Sequence, residues 1–230
     1  MTGLVFTGGK APAKEEILSI LNNMQDNYVI AAADSGLDTA EKAGIKPDWI
    51  IGDMDSLSNP DCLNAYSKTQ IIKYPKDKDF TDTELAFLLL KEKGCKDIWI
   101  IGGAGGRIDH LLAIFLMMER DLFPVRWICD NADIYCIDAD SERNRKAEKS
   151  NNFNWLVKKN TLVSVFPIGF GPWQIKSYGL KWPLDKINWY KGFFGISNTV
   201  LEEQFSIVPV MGRFIFILQK SEEKNVSNNN

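Results

Sequence analysis

Short apolar runs alternate with helically spaced segments in the first half of the chain, and this alternation restricts the fold most. The runs predict buried strands at residues 4–7, 28–33, 49–51 and 98–101. Helices are predicted at residues 13–23, 37–43 and 108–122 and after Thr81. Continuous apolar strands separated by helices are typical of a mostly parallel sheet covered on both faces. We therefore predict an α/β fold with a Rossmann-like parallel sheet over residues 1–138.

The second part of the chain has a different pattern. Residues 139–156 are polar and charged, which predicts a linker or insertion. Short strand-like runs punctuated by glycine and proline follow and include no long helical pattern, so we predict an all-β domain over residues 157–220. The polar residues 221–230 are expected to form a disordered tail.

Composition narrows the functional classes. The formal net charge of −3 argues against a nucleic-acid binder with a broad basic face. No signal peptide and no run of transmembrane length is evident, so a cytoplasmic protein without a membrane partner is expected. The four cysteines are scattered without a CxxC pair, which favours buried reduced thiols over a zinc site.

Acidic residues follow the predicted strands. Asp34, Asp53 and Asp55 come directly after strand ends, where parallel sheets bind ligands. Asp53 and Asp55 are two residues apart, so on an extended segment both carboxylates lie on one side and repel unless a cation separates them. Hard oxygen ligands and substrate phosphates suit Mg²⁺. The alternative is an aspartate turn, in which Asp55 or Ser56 caps the following segment.

A second acidic group lies at the entrance to the predicted third helix. It comprises Asp77, Asp79 and Asp82, and Thr81 begins a capping-box pattern with Glu84. Helix capping explains Asp82 without a ligand, and solvation explains Asp77. The lysines of this loop, Lys76 and Lys78, could neutralise phosphate oxygens, although loop lysines are usually solvated.

A glycine-rich loop, Gly102–Arg107, follows the predicted strand at residues 98–101. It is neither a Walker A motif nor a GxGxxG in the usual place. Nevertheless, glycines allow close approach to a phosphate, a helix N-terminus offers free N–H groups, and Arg107 can bind phosphate in bidentate fashion. The alternative is a tight strand–helix turn with Arg107 on the surface. His110, the only histidine, is expected to be structural or solvated.

The β-rich region contains one further candidate site. Trp182 beside Pro183 is usually a packed core residue, but it could also stack on a flat cationic heterocycle. Ser197 and Asn198 are typical of a turn, yet both could hydrogen-bond a ring nitrogen.

Taken together, these motifs resemble the thiamine pyrophosphokinase family over about residues 4–218. The motifs occur in this order: Asp34-Ser35-Gly36, Gly52-Asp53-Met54-Asp55-Ser56, Asp77-x-Asp79-x-Thr81-Asp82, Gly102-Gly103-Ala104-Gly105-Gly106-Arg107-x-Asp109-His110, Gly179-Leu180-Lys181-Trp182-Pro183-Leu184 and Gly195-Ile196-Ser197-Asn198. The final strand, Gly212-x-Phe214-Ile215-x-Ile217, is also similar to that of the family.

The resemblance implies an ATP- and Mg²⁺-dependent transfer of a pyrophosphoryl group to thiamine, which gives thiamine diphosphate and AMP. It implies an N-terminal α/β domain, a C-terminal β-sandwich, and a homodimer with active sites at the subunit interface. The implied Mg²⁺ ligands are Asp53, Asp55 and Asp82, which with Arg107 and Asp109 form the catalytic set. ATP would contact Asp34, Asp79, Thr81, Gly103, Gly105, Gly106 and Arg107, and thiamine would contact Ser197, Asn198 and Trp182 of the partner subunit.

Other functions remain open from the sequence. One is a pyrophosphokinase for another hydroxymethyl heterocycle, such as a pterin. A second is a hydrolase that uses water in place of the alcohol, and a third is a non-catalytic sensor of thiamine or nucleotide. Either Asp79 or Asp109 could accept the proton of the attacking hydroxyl.

Overall fold

The computed structural model describes residues 1–24, 27–66, 70–141 and 154–220. It divides into two compact units, Met1–Asp130 and Asn131–Asn230. The division lies eight residues before the predicted boundary at 138, because residues 132–138 pair along their length with a strand at 213–219. The predicted tail and most of the predicted linker lie outside the described residues, but residues 154–156 form a strand.

The described part of the first unit contains six strands and four α-helices. The strands are β1 (Thr2–Thr7), β2 (Tyr28–Ala33), β3 (Trp49–Gly52), β4 (Gln70–Lys73), β5 (Asp97–Gly102) and β6 (Arg126–Ile128). The helices are α1 (Lys14–Asn23), α2 (Gly36–Ala43), α3 (Asp82–Glu92) and α4 (Ile108–Met117), with a 3₁₀ helix at Pro60–Tyr66.

All strand pairs within this first sheet are parallel, as the sequence predicted. The strand order is β4-β3-β2-β1-β5-β6. The chain moves outward from β1 to β4 and then returns to add β5 on the other side of β1. This reversal creates a switch point between β1 and β5, and ligands of such sheets bind outside the carboxyl ends of the strands near it.

Helices cover both faces of the parallel sheet, which confirms the predicted layering. On one face Leu4 and Phe6 of β1 belong to a core with Ile17 of α1 and Leu37 of α2. On the other face α3 packs so closely that a Cβ on Gly3 would lie 3.0 Å from Leu90 Cδ1. Alternate residues of β1 therefore face different helices, which is why the strand has no polar residue between Thr2 and Thr7.

Local signals set most helix ends. Thr81 and Glu84 form the predicted capping box at the start of α3, and Gly44 ends α2 in the left-handed conformation with φ 76°. By contrast, α4 ends at Met117, five residues before the predicted end at 122. The chain leaves helical geometry at the turn where Arg120 pairs with Glu84. No described helix is long and apolar enough to cross a membrane.

The second unit is an antiparallel β-sandwich, as predicted. Its described strands are β7 (Ala132–Asp138), β8 (Asn154–Leu156), β9 (Leu162–Ile168), β10 (Gln174–Tyr178), β11 (Gly195–Thr199), β12 (Gln204–Met211) and β13 (Arg213–Gln219). Within this unit the strands follow the order β11-β9-β13-β7 in one sheet and β10-β12-β8 in the other. Val163 and Phe216 of one sheet and Ile175 and Phe205 of the other belong to a single buried core.

The cysteines follow the prediction of reduced thiols. All four are free, and Cys95, Cys129 and Cys136 are buried, whereas Cys62 is half-buried. Burial raises the pKa of the Cys136 thiol, which keeps it neutral.

Candidate active site

Three carboxylates meet at the carboxyl edge of the parallel sheet. Asp34 follows β2, Asp53 follows the neighbouring strand β3, and Asp82 is the first residue of α3. One oxygen from each of the three lies within 4.8 Å of the others. We refer to Asp34, Asp53 and Asp82 as the carboxylate cluster. Adjacent parallel strands that end side by side bring two of its members together, and the N-terminus of α3 adds the third.

Glycine at the end of β3 allows this convergence. Gly52 has φ 145°. A Cβ at this position would lie 3.1 Å from Asp82 Cγ and 3.2 Å from the Cβ of Asp34. Asp34 itself adopts the left-handed conformation with φ 46°, which aspartate tolerates better than most residues. The backbone is therefore shaped to hold the carboxylates close together.

The electrostatics of the carboxylate cluster favour a cation. Burial raises the pKa of the Asp82 carboxyl, and the charges of Asp34 and Asp53 add to the rise, whereas Lys78 opposes it. Asp34 Oδ1 is buried and has no hydrogen-bond partner among the residues the structure describes. Clustered anionic oxygens with unused acceptor capacity are the ligands that hard divalent cations prefer, so the residues present fit Mg²⁺.

Lys78 reaches into the carboxylate cluster. Its Nζ lies 3.2 Å from Asp82 Oδ1 and 3.7 Å from Asp53 Oδ2. Only 13% of the Lys78 side chain is exposed. The sequence suggested either a phosphate ligand or a solvated lysine at this position, and the contact with the carboxylates was not predicted.

Asp55 lies outside the carboxylate cluster. Its Oδ2 is 2.6 Å from Lys76 Nζ, and the hydrogen bond from Lys76 is the main cause of the lowered pKa of this exposed carboxyl. The backbone N–H of Asp55 donates to Asp53 Oδ1 over 3.1 Å, which is the turn geometry weighed as the alternative from the sequence. The role of Asp55 as a metal ligand stays a prediction. Asp34, which was expected to contact the nucleotide, lies in the carboxylate cluster with Asp53 and Asp82.

The loop before α3 places its other candidates differently. Thr81 acts as the helix cap, because its hydroxyl oxygen accepts from the Glu84 N–H at 3.2 Å and its own N–H donates to Glu84 Oε2 at 2.8 Å. Asp77 and Asp79 are exposed. Contacts of Asp79 and Thr81 with a nucleotide stay predictions.

The glycine-rich loop is anchored at the switch point. The N–H of Lys10, in the loop after β1, donates to the Ala104 carbonyl at 2.6 Å, and the Ala104 N–H donates back to Lys10 O at 3.2 Å. Trp127 Nε1 donates to Gly102 O at 2.6 Å. Gly103, Gly105 and Gly106 all have left-handed φ values, of 80°, 66° and 68°. Glycines in this conformation let the backbone of a loop approach a ligand closely.

Arg107 and Asp109 form a bidentate pair at the start of α4. Arg107 Nε is 3.1 Å from Asp109 Oδ1, and its Nη2 is 2.5 Å from Asp109 Oδ2. Both side chains are exposed, as is His110. The hydrogen bond from Arg107 holds the pKa of Asp109 below its ordinary value, so Asp109 is an anion at neutral pH. The surface position of Arg107 agrees with the alternative weighed from the sequence, and phosphate binding by Arg107 stays a prediction.

In the second unit, Trp182 is half-exposed rather than packed in the core. Its side chain is 51% exposed, and Lys181 Nζ lies 4.7 Å from the ring centroid. Asn198 is buried and fixes the backbone of this tryptophan: its Oδ1 accepts from Trp182 N at 3.1 Å, and its Nδ2 donates to Trp182 O at 2.7 Å. Ser197 is exposed and left-handed, with φ 57°. Contacts of Ser197 and Asn198 with thiamine, which the family resemblance implies, stay predictions.

Sequence models of one family match both units of the chain. The model described as thiamin pyrophosphokinase, catalytic domain, matches residues 21–123, and the model described as thiamin pyrophosphokinase, vitamin B1 binding domain, matches residues 148–208. The chain belongs to the thiamin pyrophosphokinase family. The catalytic-domain match contains the carboxylate cluster and the glycine-rich loop, and the B1-binding match contains Trp182, Ser197 and Asn198.

Solved structures of the family share the fold. Thiamine pyrophosphokinase from Bacillus subtilis has a TM-score of 0.72 at 22% identity and covers 96% of this chain and 100% of its own. The family protein from Enterococcus faecalis has a TM-score of 0.70 at 23% identity, with 96% and 99% covered. The Candida albicans enzyme has a TM-score of 0.67 at 17% identity, with 96% and 89% covered. No functionally curated protein sequence matches the chain.

Proposed function

We propose that this protein transfers the pyrophosphoryl group of ATP to the hydroxyl of thiamine and releases thiamine diphosphate and AMP. The observation that carries the proposal is the carboxylate cluster, which lies within the part of the chain matched by the catalytic-domain model of the thiamin pyrophosphokinase family. The match of the second unit to the vitamin B1 binding domain supports thiamine as the acceptor.

Asp34, Asp53 and Asp82 are the proposed ligands of a divalent cation, with Mg²⁺ as the expected ion and Asp55 as a further predicted ligand. When bound, the cation would neutralise charge on the polyphosphate oxygens. The left-handed glycines and the N-terminus of α4 offer N–H groups to the same polyphosphate. Catalysis by such a site consists mainly of positioning and of electrostatic stabilisation.

Arg107 can change partners as the phosphates bind. Its guanidinium pairs with Asp109 at the exposed start of α4. A polyphosphate can therefore bind the guanidinium in place of Asp109 or beside it, without disturbing buried packing. A bidentate arginine suits phosphate oxygens as well as it suits carboxylates. Asp109, freed from Arg107, and Asp79 are the two candidates for accepting the hydroxyl proton. The loose transition state of phosphoryl transfer demands little of such a base.

Trp182 is the proposed platform for thiamine. Lys181 Nζ lies over its half-exposed indole, at a position that suits a cation. Thiamine contains a flat, positively charged thiazolium ring and a flat aminopyrimidine ring, so it suits an exposed indole face. Asn198 supports this role by holding the backbone of Trp182 at both its N–H and its carbonyl. Ser197 is the exposed polar neighbour in the same segment.

We further propose a homodimer with active sites at the subunit interface. This proposal follows the family resemblance, and α4 offers a surface that supports it. Ile108, Leu112 and Leu116 recur every fourth residue on this helix and are 74%, 51% and 57% exposed. Three large aliphatic side chains on one exposed stripe are unusual for a monomer and typical of a contact between chains.

A direct assay tests the proposed reaction. Purified protein is incubated with ATP, Mg²⁺ and thiamine, and AMP and thiamine diphosphate are measured by chromatography with mass detection. Phosphate release without thiamine would indicate a hydrolase, and turnover only with a hydroxymethyl pterin would indicate a different acceptor. Tight binding of thiamine or nucleotide without turnover would indicate a sensor.

A further inference from the structure

We propose that Lys78 is a built-in counter-ion of the carboxylate cluster, which a divalent cation must displace and which then moves to the polyphosphate. Lys78 would thereby couple metal binding to nucleotide binding. The inference rests on the metal site of the proposed function and assigns a positioning role to a lysine outside the predicted site residues.

The Lys78 ammonium group lies close to two members of the carboxylate cluster. Lys78 Nζ lies 3.2 Å from Asp82 Oδ1 and 3.7 Å from Asp53 Oδ2, so it contacts two members of the carboxylate cluster at once. The side chains of Lys78, Asp82 and Asp53 are only 13%, 19% and 17% exposed. At this depth solvent screens the charges less than at the surface, so the lysine contributes a real part of the local neutralisation.

Lys78 differs from the neighbouring lysine of the same loop in its exposure and its partners. Lys76 lies two residues earlier in the same loop and also pairs with an aspartate, Asp55, but it is 80% exposed. Lys78, in contrast, lies four residues before Asp82, and the first turn of α3 carries that carboxylate toward the loop. The two lysines are close in sequence, but Lys78 has a structural role at the carboxylate cluster, whereas Lys76 is solvated.

The position of Lys78 affects the binding of both the metal and the nucleotide. A divalent cation and an ammonium group that compete for the same two carboxylates repel one another, so Lys78 lowers the affinity of the free protein for metal. A polyphosphate supplies anionic oxygens next to the cluster, and the displaced ammonium can bind them on a flexible stem. Metal and nucleotide would then strengthen each other's binding by the same factor.

Metal binding measured without turnover tests this. The free Mn²⁺ signal in electron paramagnetic resonance gives the affinity of Mn²⁺ for the full-length protein, with and without a non-hydrolysable ATP analogue. Lys78→Met keeps the apolar stem and removes the charge, Lys78→Arg keeps the charge, and Lys76→Met is the matched control on the exposed neighbour. Thermal unfolding in EDTA and in Mn²⁺ checks that each variant folds.

Without nucleotide, Lys78→Met is expected to bind Mn²⁺ roughly 5- to 100-fold more tightly than the wild type. Lys78→Arg is expected to stay close to wild-type affinity. Lys76→Met removes a charge beside Asp55 and not beside the carboxylate cluster, so it should change the affinity much less than Lys78→Met does. Addition of the ATP analogue should tighten Mn²⁺ binding by the wild type much more than by Lys78→Met. In EDTA, Lys78→Met should melt at a lower temperature than the wild type, and Mn²⁺ should reverse the difference.

Three outcomes would overturn the proposal. If Asp53→Asn weakens Mn²⁺ binding but Lys78→Met does not tighten it, the metal site is real and the role of Lys78 is wrong. An equal gain in Lys76→Met would mean that general loop charge, and not the position of Lys78, sets the affinity. Absence of Mn²⁺ binding in every variant, with or without the analogue, would remove the metal site and the proposed function with it.

Discussion

Two carboxylates that are close in sequence lie in different surroundings. Asp53 belongs to the carboxylate cluster, whereas Asp55, two residues later, is exposed and paired with Lys76. Asp34, from a different strand, stands beside Asp53 instead. Proximity in sequence is therefore a weaker guide to a shared ligand than the convergence of neighbouring strand ends.

We expect Asp34→Asn and Asp53→Asn to lower kcat/KM by at least about 100-fold each, because each removes one charged ligand from the proposed metal site. Both variants should also bind Mn²⁺ more weakly while they remain folded. Asp55→Asn, measured beside them, tests the sequence-based ligand prediction. A loss as large as that of Asp53→Asn would support Asp55 as a ligand, whereas near-normal AMP production by the folded variant would contradict it.

Trp182→Ala is expected to raise the KM for thiamine about tenfold and to leave the KM for ATP nearly unchanged. A cation over an indole contributes about 1–2 kcal/mol, and the half-exposed ring leaves little packing to lose. Initial rates at varied concentrations of each substrate measure both constants. Equal changes in the two KM values would contradict a stacking role.

The contacts of Asn198 and Lys78 could not be predicted from the sequence alone. Ser197-Asn198 is typical of a turn, but the pattern does not reveal that the Asn198 amide faces inward and binds the Trp182 backbone. Lys78 occurs in a charged loop, where most lysines are solvated, and its contact with Asp53 joins positions 25 residues apart. Both outcomes depend on contacts between segments distant in sequence.

At the scale of elements, the N-terminus of α3 combines capping with a buried charge. Glu84 is buried, which alone would raise its pKa. Hydrogen bonds from the N–H and hydroxyl of Thr81, together with the Arg120 guanidinium, instead hold the pKa of this carboxyl below its ordinary value. Because α3 also presents Asp82, the same cap that stabilises the helix fixes one member of the carboxylate cluster.

The lowered pKa of Glu84 makes its contribution to stability depend on pH. Since the pKa is lower in the folded than in the unfolded state, the ionised carboxylate stabilises the fold at neutral pH, and this stabilisation is lost as the pH falls through the folded-state pKa. Glu84→Gln is expected to lower the free energy of unfolding by about 1–2 kcal/mol at neutral pH, and the difference should shrink below about pH 4.

Urea unfolding of Glu84→Gln and the wild type across this pH range measures the effect. Glu15→Gln, at an exposed position of α1, provides the comparison for a carboxylate of another helix. A pH-independent difference between Glu84→Gln and the wild type would contradict the assigned ionisation.

The sequence predicted the strands with a continuous apolar run better than the others. β1, β2, β3 and β5 each contain such a run. β4 and β6 have only two apolar residues each, beside polar or charged ones, and neither strand was predicted. Such short strands are defined by the neighbours they pair with rather than by their own composition. The division between the units likewise depends on the pairing of β7 with β13, which no local pattern reveals.

At the scale of the whole molecule, the exposed stripe of α4 bears on the oligomeric state. We expect the wild type to be a dimer at micromolar concentration and Leu112→Glu to shift it toward monomer, because a charge cannot be buried without a partner in an apolar contact. Light scattering coupled to size exclusion measures the mass. Leu156→Glu changes another exposed leucine, in the second unit, and should leave the dimer intact.

Two results would count against this assignment. A wild-type monomer would contradict the homodimer. A dimer that persists in Leu112→Glu would place the contact elsewhere on the surface.

The central claim is the transfer of two phosphates in one step, and the nucleotide product tests it most directly. The wild type with ATP, Mg²⁺ and thiamine should produce AMP and thiamine diphosphate in equimolar amounts, without ADP or thiamine monophosphate at early times. Asp53→Asn should produce neither product at a comparable rate. Formation of ADP with thiamine monophosphate, or of AMP without thiamine diphosphate, would contradict the account.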